Sequence, residues 1–203
     1  PDGRLLLTGS QDKTLRLWNL QQAEAKSVES GFAQPVSAAI FLDQDHWVGA
    51  DESGMIMASG KKVPAHGPGP VRLTALGADR FVSAGADGVV RLWNAKAETL
   101  AQQSLGAAVT ALTGNDSVVV AGLADGRIVR LSSALSQATD LGQKHGGAVT
   151  ALAMGRDGTL LSGGQDGQIL TWREQAAAAL GRHDGAISHV SVGKDAEFAI
   201  SAS

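Results

Sequence analysis

Three histidines in this chain stand a fixed distance ahead of a hydroxyl. His66 precedes Ser83 by 17 residues, His145 precedes Ser162 by 17, and His183 precedes Ser201 by 18. In the first two cases an aspartate follows the serine by four residues, Asp87 after Ser83 and Asp166 after Ser162. Serine, histidine and carboxylate are the parts of a hydrolytic triad, in which the imidazole takes the hydroxyl proton and the carboxylate orients the ring. The same three groups can instead satisfy one another as a structural hydrogen-bond network. Repetition favours the network. An active site normally occurs once, in one cleft, whereas this set occurs complete twice. It also occurs in part as Thr8, Asp12 and Trp18 and as His183 with Ser201. Neither serine lies in a Gly-x-Ser-x-Gly elbow.

Other chemistry is poorly supplied. His46 beside Asp43 and Asp45 reads as a solvated turn, and no histidine pairs with a carboxylate at i, i+3 or i+4 on a helix. The glycine-rich stretches "GADG" and "GGQDG" lack the Lys and Ser/Thr that complete a phosphate loop. "DQD" at 43–45 lacks a twelve-residue calcium pattern. We therefore expect no catalytic residue, metal or cofactor. Trp47 reads as core in preference to an exposed contact. The net charge of -3, with "KK" at 61–62 as the longest basic run, gives no reason to expect nucleic acid. There is no cysteine, so disulfides and thiolate metal sites are excluded. No apolar run reaches the roughly 18 residues of a membrane span. We expect a soluble chain, with the cytoplasm ahead of the periplasm or secretion.

The elements that must position these residues repeat with them. Aligned on the position four before the turn aspartate, the chain shows Thr8, Gly49, Ser83, Ala121, Ser162 and Ser201, at steps of 41, 34, 38, 41 and 39 residues. Periods of this length mark repeat architectures. Each unit opens with an alternating stretch such as "VTALAM". A turn and a small-residue strand such as "TLLSGG" follow, then a second turn, often Asp-Gly, and a third strand such as "VVRLWN". Asp-Gly between apolar runs is a strong hairpin signal, because glycine tolerates positive φ. The segments that follow, "AKAETLAQQSL" and "REQAAAALG", have helical composition. In register each occupies the place of a fourth, outer strand, and we assign strand. The repeats run approximately over 1–30, 31–65, 66–104, 105–144, 145–182 and 183–203, the last truncated.

Four short strands in about 40 residues, with Trp18, Trp93 or Trp172 closing the third, resemble the WD40 repeat. "WN" at Trp18-Asn19 and Trp93-Asn94 and "WR" at Trp172-Arg173 replace the Trp-Asp pair of that family. The fourth repeat has Ala121 and Leu131 where Ser and Trp are expected, and the second has Ser53 in the aspartate's place. The resemblance implies an all-β, WD40-type β-propeller of four-stranded antiparallel blades. It also implies that the indole N–H joins His, Ser and Asp as a structural tetrad in each blade. The chain opens in the turn before a second strand and stops short of the last expected aspartate. We therefore expect an incomplete ring, five to six repeats of a seven-bladed propeller. The missing strands would come from the rest of a parent chain or from another segment.

The implied function is a rigid, non-enzymatic platform for partner proteins or peptides. A structural or regulatory domain of a larger multidomain protein, perhaps bacterial, is the alternative, with a ligand-binding or hydrolytic propeller behind it. The candidate binding face comprises loops before the first strands, at Gln34, Pro35, Pro68, Pro70, Gly146, Gly147, Asp184 and Gly185. It adds the residues before the turn aspartates, Gln11, Glu52, Ala86, Ala124 and Gln165. The sequence names no particular partner, and we expect no nucleic acid or membrane.

Overall fold

The computed structural model describes residues 3–173, 176–193 and 198–203. Pro1 and Asp2 of the opening turn, Glu174 and Gln175 of the Ala-rich segment, and Glu197 of the last small-residue strand lie outside them. All regular structure among the described residues is β-strand. The chain divides into two compact units, 1–104 and 105–203.

The first unit holds three antiparallel sheets in sequence order. Sheet one is β1 (Leu5–Gly9), β2 (Leu15–Asn19) and β3 (Glu24–Glu29). Sheet two is β4 (Val36–Phe41), β5 (Trp47–Asp51), β6 (Met55–Ala58) and β7 (Lys61–Pro64). Sheet three is β8 (Arg72–Leu76), β9 (Arg80–Ala84), β10 (Val89–Asn94) and β11 (Thr99–Ser104). The second unit repeats the plan. Sheet four is β12 (Val109–Gly114), β13 (Val118–Leu123), β14 (Ile128–Ser132) and β15 (Ala138–Asp140). Sheet five is β16 (Val149–Met154), β17 (Leu160–Gly164), β18 (Gln168–Arg173) and β19 (Ala176–Arg182). Sheet six is the pair β20 (His189–Val192) and β21 (Ala199–Ala202). The four-stranded antiparallel meanders of sheets two to five match the blade that the repeat implies.

The helix-prone segments are strands. Ala176 to Ala179 pair with β18, Ala177 opposite Trp172, and Thr99 to Ser104 pair with β10. A short Ala/Gln-rich segment gains too little from its own propensity to refuse a ladder already presented by a buried strand.

The core lies in the seams between sheets. In the first unit Ala58 of sheet two meets Phe81 and Trp93 of sheet three, with Val48, Ile56 and Val71. Leu15, Phe32 and Met57, flanked by Trp47, fill the seam between sheets one and two. Trp47 is therefore half-buried against the core. In the second unit Val120 and Ile128 of sheet four meet Leu160, Leu170 and Trp172 of sheet five. Ile187 and Val190 of the next repeat pack on Leu161 and Ile169.

These seams explain the small residues of the second strands. A Cβ on Gly9 would stand 2.4 Å from Val36 Cγ1, one on Gly122 2.5 Å from Val149 Cγ1, and one on Gly163 2.4 Å from Ile187 Cγ2. In each case the next repeat's first branched residue presses onto the backbone. The hairpin turns behave as their composition predicts. Gly54, Gly88, Gly126 and Gly167 have φ of +86°, +71°, +87° and +78°, and Lys13 holds the same place in sheet one at +67°. The turn is also a docking point. The carbonyl oxygens of Gly54, Gly126 and Gly167 accept the backbone N–H of His66, His145 and His183 at 2.9, 3.0 and 2.9 Å.

Candidate functional site

That backbone tie delivers each histidine to the sheet it serves. In sheet five the Trp172 indole N–H donates to Ser162 Oγ at 2.8 Å, and His145 Nε2 lies 2.8 Å from the same oxygen. His145 Nδ1 lies 3.1 Å from Asp166 Oδ1. The Asp166 carboxylate can only accept, so the neutral ring carries its proton on Nδ1 and donates it to Asp166. Nε2 is then the acceptor and takes the Ser162 hydroxyl proton. The indole can only donate, and Ser162 Oγ accepts from it. Asp166 also accepts from the backbone of Gly146 at 2.7 Å and of Gln168 at 3.1 Å. Loop, second strand, turn and third strand are thus joined by one directional series of donors.

Sheet three repeats the arrangement. Trp93 Nε1 donates to Ser83 Oγ at 2.8 Å, His66 Nε2 lies 2.8 Å from that oxygen, and His66 Nδ1 lies 2.9 Å from Asp87 Oδ1. Arg91 is added here, its Nη1 2.8 Å from Asp87 Oδ2. The same nitrogen lies 2.9 Å from His66 Nδ1. Two N–H donors would face each other there, so the Arg91 bond belongs to Asp87.

Ser83 and Ser162 are fully buried, and His145 is 2% exposed. Among the described residues, no buried side-chain nitrogen or oxygen lacks a partner. Burial favours the uncharged His66 ring and holds its pKa below the ordinary histidine value, against the pull of Asp87 and with the help of Arg91. At Asp87 burial works upward, but hydrogen bonds from His66, Arg91 and the Val89 backbone outweigh it and keep the carboxyl below its ordinary value. Asp166 is low for the same balance, with Gly146, Gln168 and His145 opposing burial.

The remaining sets are partial. In sheet one Trp18 Nε1 donates to Thr8 Oγ1 at 2.8 Å, while Asp12 turns to the Thr14 hydroxyl at 2.6 Å and to Arg16 at 3.2 Å. No bond among the described residues brings Asp12 to the Thr8–Trp18 pair. In sheet six His183 Nε2 lies 2.8 Å from Ser201 Oγ. In sheet four Ala121 and Leu131 are buried without polar atoms, and Asp125 binds Arg127 at 2.8 Å.

Sheet two holds a residue that the sequence reading missed. Asp51 is fully buried. Its Oδ2 accepts the backbone N–H of Ala33 at 3.0 Å and of Gln34 at 3.3 Å, and its Oδ1 accepts from Ser53 and Met55. Ser53 stands in the aspartate's place, yet the carboxylate that ties loop to turn comes two residues earlier. The exchange has a steric logic. Asp51 occupies the position of Gly85 and Gly164, two after the aligned residue. A Cβ on Gly85 would meet His66 Cγ at 2.8 Å, and one on Gly164 would meet His145 Nδ1 at 2.4 Å. In sheets three and five, where His66 and His145 fill the site, glycine leaves room for the ring. Sheet two has Phe32 17 residues ahead of Gly49, and a Cβ on Gly49 would meet its Cζ at 2.7 Å. The phenyl ring takes the space over the serine position, and Asp51 supplies the missing acceptor. The pairing of Phe32 with Asp51, set against His with Gly, is the signal that could have found it.

The candidate face falls at the ends of the sheets that carry the Asp-Gly turns. Gln11, Gln34, Glu52, Pro68, Pro70, Ala86, Ala124, Gly146, Gln165, Asp184 and Gly185 are exposed, and Pro35 and Gly147 are half-buried. In sheets two, four and five the turn is tied to the loop before the first strand, in sheet four by Ala124 N–H donating to Ala108 O at 2.9 Å. Glu52 N donates to Pro35 O at 3.0 Å and Gln165 N to Ala148 O at 2.8 Å. His46 and Asp43 form an exposed pair at 2.8 Å. No group of three or more His, Asp or Glu among the described residues is placed to hold a metal ion, and no helix is long and apolar enough to cross a membrane.

The family model described as WD domain, G-beta repeat matches residues 1–19 and 138–173. The second match spans His145, Ser162, Asp166 and Trp172. No curated protein matches the chain.

Proposed function

Because the WD40 repeat model matches residues 1–19 and 138–173, we propose that the chain is a non-enzymatic interaction scaffold. Its sheets form a single propeller domain, or part of one, and carry loops at one end that bind partner proteins or peptides. WD40 domains are generally scaffolds of this kind. One observation carries the reading for this chain. Ser83 and Ser162, which stand in complete sets among the described residues, are fully buried and each already accepts an indole N–H at 2.8 Å. A nucleophile must reach substrate, and these hydroxyls face a tryptophan. What each unit offers to solvent at the turn-bearing ends of its sheets is a set of short turns, those at Glu52, Ala124 and Gln165 bonded to neighbouring loops.

The test has two arms. A fluorophosphonate probe, which labels activated serines, should leave the folded chain unmodified by intact mass. Affinity capture with the wild-type chain should recover partners that are lost when Glu52, Gln165 and Asp184 are changed together to Ala, at unchanged melting temperature. An adduct on Ser83 or Ser162 would overturn the non-enzymatic reading. Partners retained by the triple variant would overturn the assignment of the face.

A further inference from the structure

We propose that the groove between sheets four and five, at the end opposite the Asp-Gly turns, binds an extended acidic segment of a partner protein, with Arg130 gripping its carboxylate. The surface is additional to the loop face and does not depend on it.

The observation starts from register. One ladder pair in each of sheets one to five lies one step from the aligned hydroxyl position: Leu7 with Leu17, Val48 with Ala58, Val82 with Leu92, Val120 with Arg130, and Leu161 with Thr171. Leu17, Ala58 and Leu92 are buried. Ala58 shows what this position does when apolar, since it seals the seam of sheets two and three against Phe81 and Trp93. Sheet four puts an exposed arginine there instead. Its seam with sheet five opens into a groove of about 410 Å³, lined by Arg130 and by residues of both sheets. That volume falls within the roughly 300–1,000 Å³ of ligand sites.

The lining has two characters. Leu160 and Trp172 are buried and apolar, whereas Asn115, Gln137 and Thr139 are exposed and offer amides and a hydroxyl. Arg16, Arg80, Arg91 and Arg127 each lie within 4.0 Å of a carboxylate. Arg130 has no such partner among the described residues. A guanidinium is a planar fork matched to a carboxylate. Beside an apolar floor and amide-bearing walls it suits an Asp or Glu followed by an apolar side chain, with the peptide backbone on the amides. A phosphate backbone is disfavoured, because Arg130 is the one cationic residue lining the groove and the chain's net charge is -3.

The experiment is selection of a random heptapeptide phage library on the full 203-residue chain, followed by fluorescence polarisation of a selected peptide and its Glu→Gln twin. Acidic residues should be enriched next to an apolar one. Arg130→Ala should weaken binding roughly 10- to 100-fold, the Glu→Gln twin should bind as weakly, and the two changes together should cost little more than either. Arg130→Lys, which keeps the charge and loses the fork, should fall between. Gln165→Ala and Asp184→Ala, at the opposite end, should bind as wild type does. Absence of acidic enrichment, equal affinity in Arg130→Ala, or loss in the Gln165 and Asp184 variants would overturn the proposal. The last result would point to the loop face instead.

Discussion

Replacing Gly164 with alanine adds one methyl group at the most crowded point of sheet five. The new Cβ would lie 2.4 Å from His145 Nδ1 and 2.5 Å from Asp166 Oδ1. Gly164 is not among the glycines with positive φ, so backbone strain plays no part and the collision is the whole effect. The ring is 2% exposed and has no empty space beside it. It can yield only by giving up its 3.1 Å contact to Asp166 and its 2.8 Å contact to Ser162. Each buried polar group left without a partner costs about 1–3 kcal/mol. Two lost bonds, partly repaired by relaxation, should destabilise by roughly 2–4 kcal/mol. For a chain of this size that lowers the melting temperature by roughly 4–16 °C. Gly67→Ala is the control, since nothing stands within 4 Å of its Cβ. It should be neutral or stabilise by up to about 1 kcal/mol. Urea denaturation and thermal melts of both variants, and of Gly164→Ala combined with His145→Ala, decide the matter. With the ring removed, only the contact to Asp166 remains, and the alanine at 164 should add less loss than it does in the wild-type background. Equal melts for Gly164→Ala and Gly67→Ala, or additive losses in the double variant, would refute the steric argument.

Other outcomes follow from the same geometry. Trp93 is 2% exposed and stacks on Phe81 at 6.1 Å, so Trp93→Ala should cost about 3–5 kcal/mol in urea denaturation. Asp87→Ala should destabilise less than Trp93→Ala, because the carboxylate is partly exposed. Stability should fall on acidification in two stages. His66 is held below its ordinary value of 6.5, so the unfolded chain binds the proton first, and the stabilisation is lost as pH falls from 6.5 through the folded value. Asp87 and Asp166 are held below their ordinary 3.8, so their contribution is present above that pH and is lost as pH falls through their folded values. Melts from pH 8 to 3 should show both stages, and His66→Gln should flatten the upper one. Lys13 occupies at φ +67° a position that is glycine in the four following turns. Lys13→Gly should therefore raise stability by up to about 1 kcal/mol in the same assay.

The strand plan was legible because punctuation repeats with it. Asp87-Gly88, Asp125-Gly126 and Asp166-Gly167 mark the hairpins, and the small residues beside Ser83 and Ser162 mark strands under close approach. The outer strands were legible only by register. The composition of 176–182 favours a helix, and the ladder offered by β18 overrides it. In the candidate site the spacing of His145, Ser162, Asp166 and Trp172 could be read directly, whereas the direction of proton donation required the Asp166 carboxylate to be seen on His145 Nδ1. Asp51 was hidden because its bonds run to the backbone of Ala33 and Gln34, 18 and 17 residues away, which no local pattern displays. Arg130 was hidden for a related reason. Its pairing with Val120 puts it where Leu17 and Leu92 are buried, and that equivalence exists only once the ladders are known.

Hydrogen exchange of the indole N–H groups, followed by two-dimensional NMR, tests most directly whether these polar sets hold the sheets together. The Trp93 and Trp172 indoles should exchange only through global unfolding, with protection that rises and falls with the measured stability of the chain. Exchange of either indole at the rate of a solvent-exposed tryptophan would contradict the buried Trp–Ser–His–Asp series from which the rest is argued.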